Sequence, residues 1–203
     1  MNFCILTSKS SWFYLNKRQQ INKIFKKNIK IFTDPKKINS NEVLCFVLSY
    51  YKIIPKKYLN RSLKFMVNHE SNLPANKGFS PLFWQILQKK KKITSTLFIP
   101  DPKKKVDTGE VILKKNYYYD DTLLYDEIKS KQFENSIDMI KSYFKKKKYN
   151  ILSTKKTNFL KRRAKIDSEL NINKSLKSQF DLLRICDNKN FPAFFKFKKK
   201  NLY

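Results

Sequence analysis

Val43-Leu-Cys-Phe-Val-Leu48 is an unbroken apolar run of six residues. It is too short for a typical helix, and it lacks the alternation of a half-exposed strand. It therefore predicts a strand covered on both faces, as in a parallel sheet. Strand and helix signals alternate outward from it. Upstream, residues 3–7 read as a first strand, Ser8-Lys-Ser-Ser11 as a loop with capping residues, and Trp12 to Lys27 as one helix. Asn28-Ile-Lys-Ile-Phe-Thr33 reads as a second strand, stopped by Asp34-Pro35. Downstream, Lys64–Glu70 reads as a strand and Pro81 opens a helix reaching about Gln88. Ile93–Ile99 and Thr108–Tyr119 read as strands on either side of Pro100-Asp-Pro102. Leu124, Ile128, Ile137, Ile140 and Phe144 keep helical spacing, so a long helix is predicted from Asp121, ending at the lysines of 145–148. The alternation implies an α/β fold, a Rossmann-like, mostly parallel sheet flanked by helices. Residues 149–170 are polar and irregular. Asn173 is placed to cap a helix carrying Leu176, Phe180 and Leu183 on one face, and Phe191–Phe197 reads as a closing strand. The expected organisation is a main domain over 1–150 and a short C-terminal helix–strand extension over 151–203.

The formal charge is +29, from 45 Lys and Arg against 16 Asp and Glu. Such a charge ordinarily points to nucleic acid or an anionic surface. Only five of the cations are Arg, the residue whose planar fork pairs bidentately with phosphate. The lysine runs at 89–92, 103–105, 145–148 and 198–200 fall at predicted turns or element ends, and abundant Asn, Ile and Phe accompany them. A compositional bias with solvated loop charges accounts for this better than a nucleic-acid footprint. With 41% hydrophobic and 15% aromatic residues, the chain is no disordered basic tail. The three cysteines are far apart and form no CxxC, which argues against a disulfide framework or a zinc site and for a reducing, cytoplasmic compartment. No apolar run approaches the ~20 residues of a membrane span. The first residues lack the basic and small-residue features of a signal peptide.

His69 is the single histidine, and one histidine alone is usually structural. Its position raises its interest: it ends a predicted parallel strand, where open α/β sheets place their sites. A long loop follows, Ser71-Asn-Leu-Pro-Ala-Asn-Lys-Gly-Phe-Ser-Pro81, and Asp107-Thr-Gly109 comes before another strand. An Asp that orients and charges a His is a recurrent acid–base arrangement. Arg162 and Arg163 read as solvated cations or as partners of a diphosphate.

His69-Glu-Ser-Asn-Leu-Pro74, Gly78, Pro81, Trp84-Gln-Ile-Leu87 and Val106-Asp-Thr-Gly109, taken together and in order, resemble the formyltransferase superfamily that uses N10-formyltetrahydrofolate. That superfamily includes methionyl-tRNA, glycinamide ribonucleotide and sugar N-formyltransferases. Leu48-Ser-Tyr-Tyr-Lys-Ile-Ile-Pro55 is similar to the family's strand and loop beside the folate pocket. Lys161-Arg-Arg163, Asp167-Ser-Glu169, Gln179–Arg184 and Pro192-Ala-Phe-Phe195 are similar to the short extension of the enzymes acting on nucleotide-linked amino sugars. The resemblance implies the formyltransferase fold and metal-free transfer of a formyl group from N10-formyltetrahydrofolate to the amine of such a sugar. It implies His69 and Asp107 as catalytic residues, with Asn68 a further candidate. It implies folate contacts at Leu48, Tyr50, Pro100, Asp101 and Val106, and acceptor contacts at Ser10, Ser11, Trp12, Lys77 and Gly78. The chain departs from the family's Asn-x-His pattern: Val67 stands two before His69 and Asn68 is adjacent. Residues 67 and 69 of a strand share a face and 68 points away, so Asn68 joins His69 only across a bulge. A loop N–H or the imidazolium itself could bind the oxyanion instead. Methionyl-tRNA formyltransferases carry a full C-terminal domain, and 53 residues after position 150 are too few for one. The alternatives are another acceptor amine (methionyl-tRNA or a purine precursor), a basic nucleic-acid-binding protein, or an inactive homologue. A homodimer through the tail is a further expectation.

Overall fold

The protein is seen here as a computed structural model, which describes residues 2–38, 41–59, 62–145, 158–198 and 200–202. The expected boundary near position 150 and the lysines at 146–148 lie outside the described residues.

A six-stranded sheet forms the frame, in the order β2-β1-β3-β4-β6-β7. Strands β1 (Cys4–Leu6), β2 (Ile31–Phe32), β3 (Leu44–Val47) and β4 (Lys64–His69) run parallel. Strands β6 (Lys92–Pro100) and β7 (Gly109–Tyr118) close one side as an antiparallel pair. The sheet is thus mixed and mostly parallel. All four residues of β3 are buried, as its apolar run requires. Ile5, Phe46 and Met66 face one core, built with Phe13, Ile21, Phe133, Ile137 and Ile140. Cys4, Leu6, Cys45, Val47 and Phe65 face a second core with Ile38, Ile54, Tyr58 and Leu63. This alternation of neighbours between two cores is the strand period of two made visible.

The helices are α1 (Trp12–Asn16), α2 (Gln20–Phe25), α3 (Lys56–Leu59), α4 (Pro81–Leu87), α5 (Tyr125–Phe144) and α6 (Phe180–Leu183). The helix expected over 12–27 is two helices. Arg18 ends the first by donating to the carbonyl of Tyr14 at 2.8 Å while lying 4.8 Å over the Tyr14 ring. That satisfies a terminal carbonyl and lets the chain turn before α2. Ser11 caps α1, accepting from the Tyr14 N–H at 3.1 Å.

The tail departs further from expectation. Asn173 caps no helix; Leu176 is 67% exposed, and only a 3-10 turn and the single turn of α6 form there. The closing strand shortens to β9 (Phe195–Phe197), paired antiparallel with β10 (Lys200–Leu202). A strand absent from the sequence reading, β8 (Asn158–Leu160), pairs in parallel with β5 (Asn76–Gly78), which lies in the loop after His69. Arg163 is buried: it donates to Ile185 O at 2.6 Å and Ser168 Oγ at 2.9 Å, tying the tail together. It is therefore held by the protein and not solvated. Among the described residues no helix is long and apolar enough to cross a membrane, and all three cysteines are free.

Candidate active site

β4 delivers His69 to the end of the sheet. Its ring Nδ1 lies 2.8 Å from Ser71 Oγ, and its Nε2 lies 3.1 Å from Gly78 O and 3.5 Å from Asp107 Oδ2. Asp107 adopts a left-handed φ of 56° on the way into β7, a conformation Asp tolerates better than most side chains. From there its Oδ2 accepts the Gly78 N–H at 2.8 Å. Gly78 thus binds both partners, its N–H on the carboxylate and its carbonyl on the imidazole. Its own φ of 106° and its contact with β8 demand glycine: a Cβ would stand 2.2 Å from Leu160 O.

The proton count at His69 follows from these bonds. The Ser71 hydroxyl has one proton, and it donates that proton to Asn76 O. Ser71 Oγ can then only accept from Nδ1. Nε2 faces a carbonyl and a carboxylate, both acceptors. These acceptors around both ring nitrogens favour the doubly protonated ring, an imidazolium. The electrostatics agree. Burial opposes the charge on His69, but the bond to Asp107, the charges of Asp107 and Glu70, and the Gly78 carbonyl outweigh it and raise the pKa above 6.5. Burial also opposes the Asp107 charge, yet His69, the Gly78 N–H and Lys77 hold its carboxyl below the ordinary 3.8.

The pair opens on a cleft of about 900 Å³. Asn68, His69, Asp107, Tyr50, Pro100, Asp101, Val106, Ser10 and Gly78 all line it. Leu48 does not: it is a buried core residue. Ser11 is fully buried, bonded to Thr7 and to the first turn of α1. Trp12 is outside the cleft wall and donates to Asp126 at 2.7 Å. Lys77 is also off the wall, with its ammonium on Thr108 Oγ1 at 2.8 Å. Asn68 lies on the opposite face of β4 from His69, with no bulge between them. It donates to Ser136 Oγ of α5 at 3.1 Å, and its Oδ1 is buried without a partner. Among the described residues no three His, Cys, Asp or Glu side chains could hold a metal together.

Beyond the residues expected from the sequence, Ser71 joins the pair, and Glu70, Lys129 and Gln132 join the cleft wall. Lys129 and Gln132 are buried on α5 and line the cleft, but nothing marks one lysine among so many.

No protein-family model and no curated protein matches the sequence. Solved structures do match. A methionyl-tRNA formyltransferase from Clostridium thermocellum superposes with a TM-score of 0.77 at 22% identity, over 99% of this chain and 90% of that one. A sugar N-formyltransferase from Shewanella sp FDAARGOS_354 superposes at 0.66 and 16% identity, over 100% of this chain and 96% of that one. HypX from Aquifex aeolicus in complex with tetrahydrofolic acid superposes at 0.70 and 13% identity, over 99% of this chain.

The chain has the formyltransferase fold.

Within this formyltransferase fold, the chain spans only 36% of the HypX chain, so it corresponds to one part of that protein. The match to 90% of the Clostridium chain means that a short tail does not separate this chain from that protein.

Proposed function

We propose that the protein transfers a formyl group from N10-formyltetrahydrofolate to the primary amine of a nucleotide-linked amino sugar. The observation that carries this reading is the His69–Asp107 pair, held by the N–H and the carbonyl of Gly78 and facing a cleft of folate-accommodating size. Tyr50, Ile53, Ile54 and Phe98 give the cleft an apolar wall suited to a flat ring. Arg162 and Lys165 of the tail stand at another part of the wall, where an anionic acceptor would be met. The working division is a catalytic part over 1–150 and a tail over 151–203 that helps hold the acceptor.

N10-formyltetrahydrofolate, as co-substrate, supplies the formyl group. The positive charge of His69 at the cleft wall offsets negative charge developing on the formyl oxygen, in place of the amide missing at Val67. Asp107 holds the ring charged and oriented. The leaving nitrogen takes its proton from the imidazolium. The cleft walls exclude water that would otherwise hydrolyse the formyl group.

The test is incubation with N10-formyltetrahydrofolate and a panel of dTDP- and UDP-linked amino sugars, read as a mass gain of one formyl group. A formylated sugar nucleotide is expected. The high superposition on the Clostridium structure favours one second reading, a methionyl-tRNA acceptor. A charged-tRNA arm in the same experiment separates the two. The tail hairpin, with Phe197 and Leu202 exposed, supports a homodimer, which sedimentation would test.

A further inference from the structure

We propose that Lys129, on the wall of the same cleft, accepts the proton that the acceptor amine sheds during formyl transfer. This rests on the functional reading above and assigns the one proton movement that reading leaves without a residue.

In its charged form the His69–Asp107 pair is a poor acceptor for that proton. Both ring nitrogens of His69 already bear hydrogen, directed at Ser71 Oγ and at Gly78 O and Asp107. The Asp107 carboxylate is a weakened base, held by the Gly78 N–H and the imidazolium. A second base on the cleft wall serves that step better.

Lys129 has the required placement. It is the only lysine buried among the described residues, with 7% exposure. Its Nζ donates to Gln132 Oε1 at 2.5 Å and lies 5.4 Å over the Phe83 ring. No carboxylate of the described residues lies within ion-pair distance of it. Lys129, Gln132 and Ser136 form a buried polar stripe along α5, where an apolar stripe would pack better. The lower end of the stripe, Ser136, holds Asn68, the neighbour of His69. Asn68, His69, Glu70, Lys129 and Gln132 all open on the one cleft.

The charges around the amine are mixed and distant. Burial lowers its pKa to about 8, while Glu70 after β4 and Asp187 of the tail push back. Arg163 shares the Phe83 ring at 5.6 Å, and Tyr51, Tyr125 and the His69 imidazolium also border the cleft. A large part of the amine is thus neutral near pH 8, matched to a sugar amine. In the step, the acceptor nitrogen's lone pair forms the bond to the formyl carbon. One of its protons passes to neutral Nζ, directly or through one water. The bond from the formyl carbon to the folate nitrogen breaks, its electron pair stays on that nitrogen, and the imidazolium protonates it. One proton leaves the amine and one reaches the leaving group.

The experiment has two arms. Trace reductive methylation with formaldehyde and cyanoborohydride, read lysine by lysine across pH, is expected to label Lys129 with a midpoint near pH 8, well below the exposed lysines. Labelling in step with those lysines, or none at all, overturns the proposal whatever the activity. In the second arm, Lys129→Arg keeps the charge and cannot serve as a base. It is expected to lower kcat by about 100-fold or more and to erase the rise in rate near pH 8. Lys129→Ala should lose as much and recover in part with added ethylamine. Retained activity in Lys129→Arg, or loss in Lys129→Ala without amine rescue, overturns the role while leaving formyl transfer standing. A wild-type chain that formylates no acceptor sinks the functional reading and this role together.

Discussion

At the scale of single residues, the site is a proton inventory. His69 and Asp107 are each buried enough to resist charging, and each is charged because the other is present. Asp107 sits below 3.8, so its carboxylate contributes stability above about pH 4 that is lost as pH falls through the lowered value. His69 sits above 6.5, so its contribution is full below about pH 6.5 and is lost as pH rises through the raised value. The pair is at full strength between these limits. Asp107→Asn keeps the shape and removes the charge. Its melting midpoint should trail the wild type most in that window, with the gap closing at both ends in a pH series of thermal melts. The same variant should lower kcat by about 100-fold or more, because His69 loses the group that keeps it charged. A flat stability difference across pH would show that the two side chains are not coupled.

At the scale of elements, backbone as much as side chain builds the site. β5 carries Gly78, and Gly78 addresses both members of the pair. Gly109 likewise lets β6 and β7 close beside Asp107, since a Cβ there would stand 1.9 Å from Ile99 O. Gly78→Ala should cost about 1–3 kcal/mol in denaturant titrations, from the strained φ and the clash with Leu160. It should lower kcat more than it lowers stability, because the peptide that aligns the pair must move. This also explains what was legible in the sequence. The apolar run of β3 and the His69 strand end were readable because burial on both faces leaves a compositional mark. Asp107 was readable because Gly109 follows it. The break at Arg18 was not, since the apolar positions on either side still fit one helix and the signal is a side chain reaching back to a carbonyl. β8 was not, because its pairing with β5 joins residues about eighty positions apart and leaves Phe159 exposed. Leu48, Ser11, Trp12 and Lys77 were placed by resemblance, and the fold turns those side chains into the core or onto neighbours.

At the scale of the molecule, the formal charge is +29 and the cleft wall is mixed, with Glu70, Asp101, Asp107 and Asp187 among nine Lys and Arg side chains. Retention on RNA is therefore expected to be sequence-indifferent and to fall steeply with salt in filter binding. A sequence preference that survived 200 mM salt would favour the nucleic-acid reading. The tail has a second role beyond contributing to the cleft. Asn158 N–H donates to Ala75 O at 2.6 Å, and Phe79 N–H donates to Leu160 O at 3.0 Å. These bonds fasten the tail to the loop that carries Gly78. The tail is held in turn by Trp84 Nε1 on Lys161 O at 2.8 Å and by the buried Arg163. Asn158→Pro removes one exposed backbone donor and no core contact. It should cost about 1 kcal/mol or less in stability. If the tail sets the position of Gly78, kcat should nevertheless fall several-fold, with the KM for folate little changed, because β8 pairs with β5 and not with the Tyr50–Ile54 segment. A variant with unaltered kcat would mean that β5 holds the pair without β8, and that the tail acts only on the acceptor.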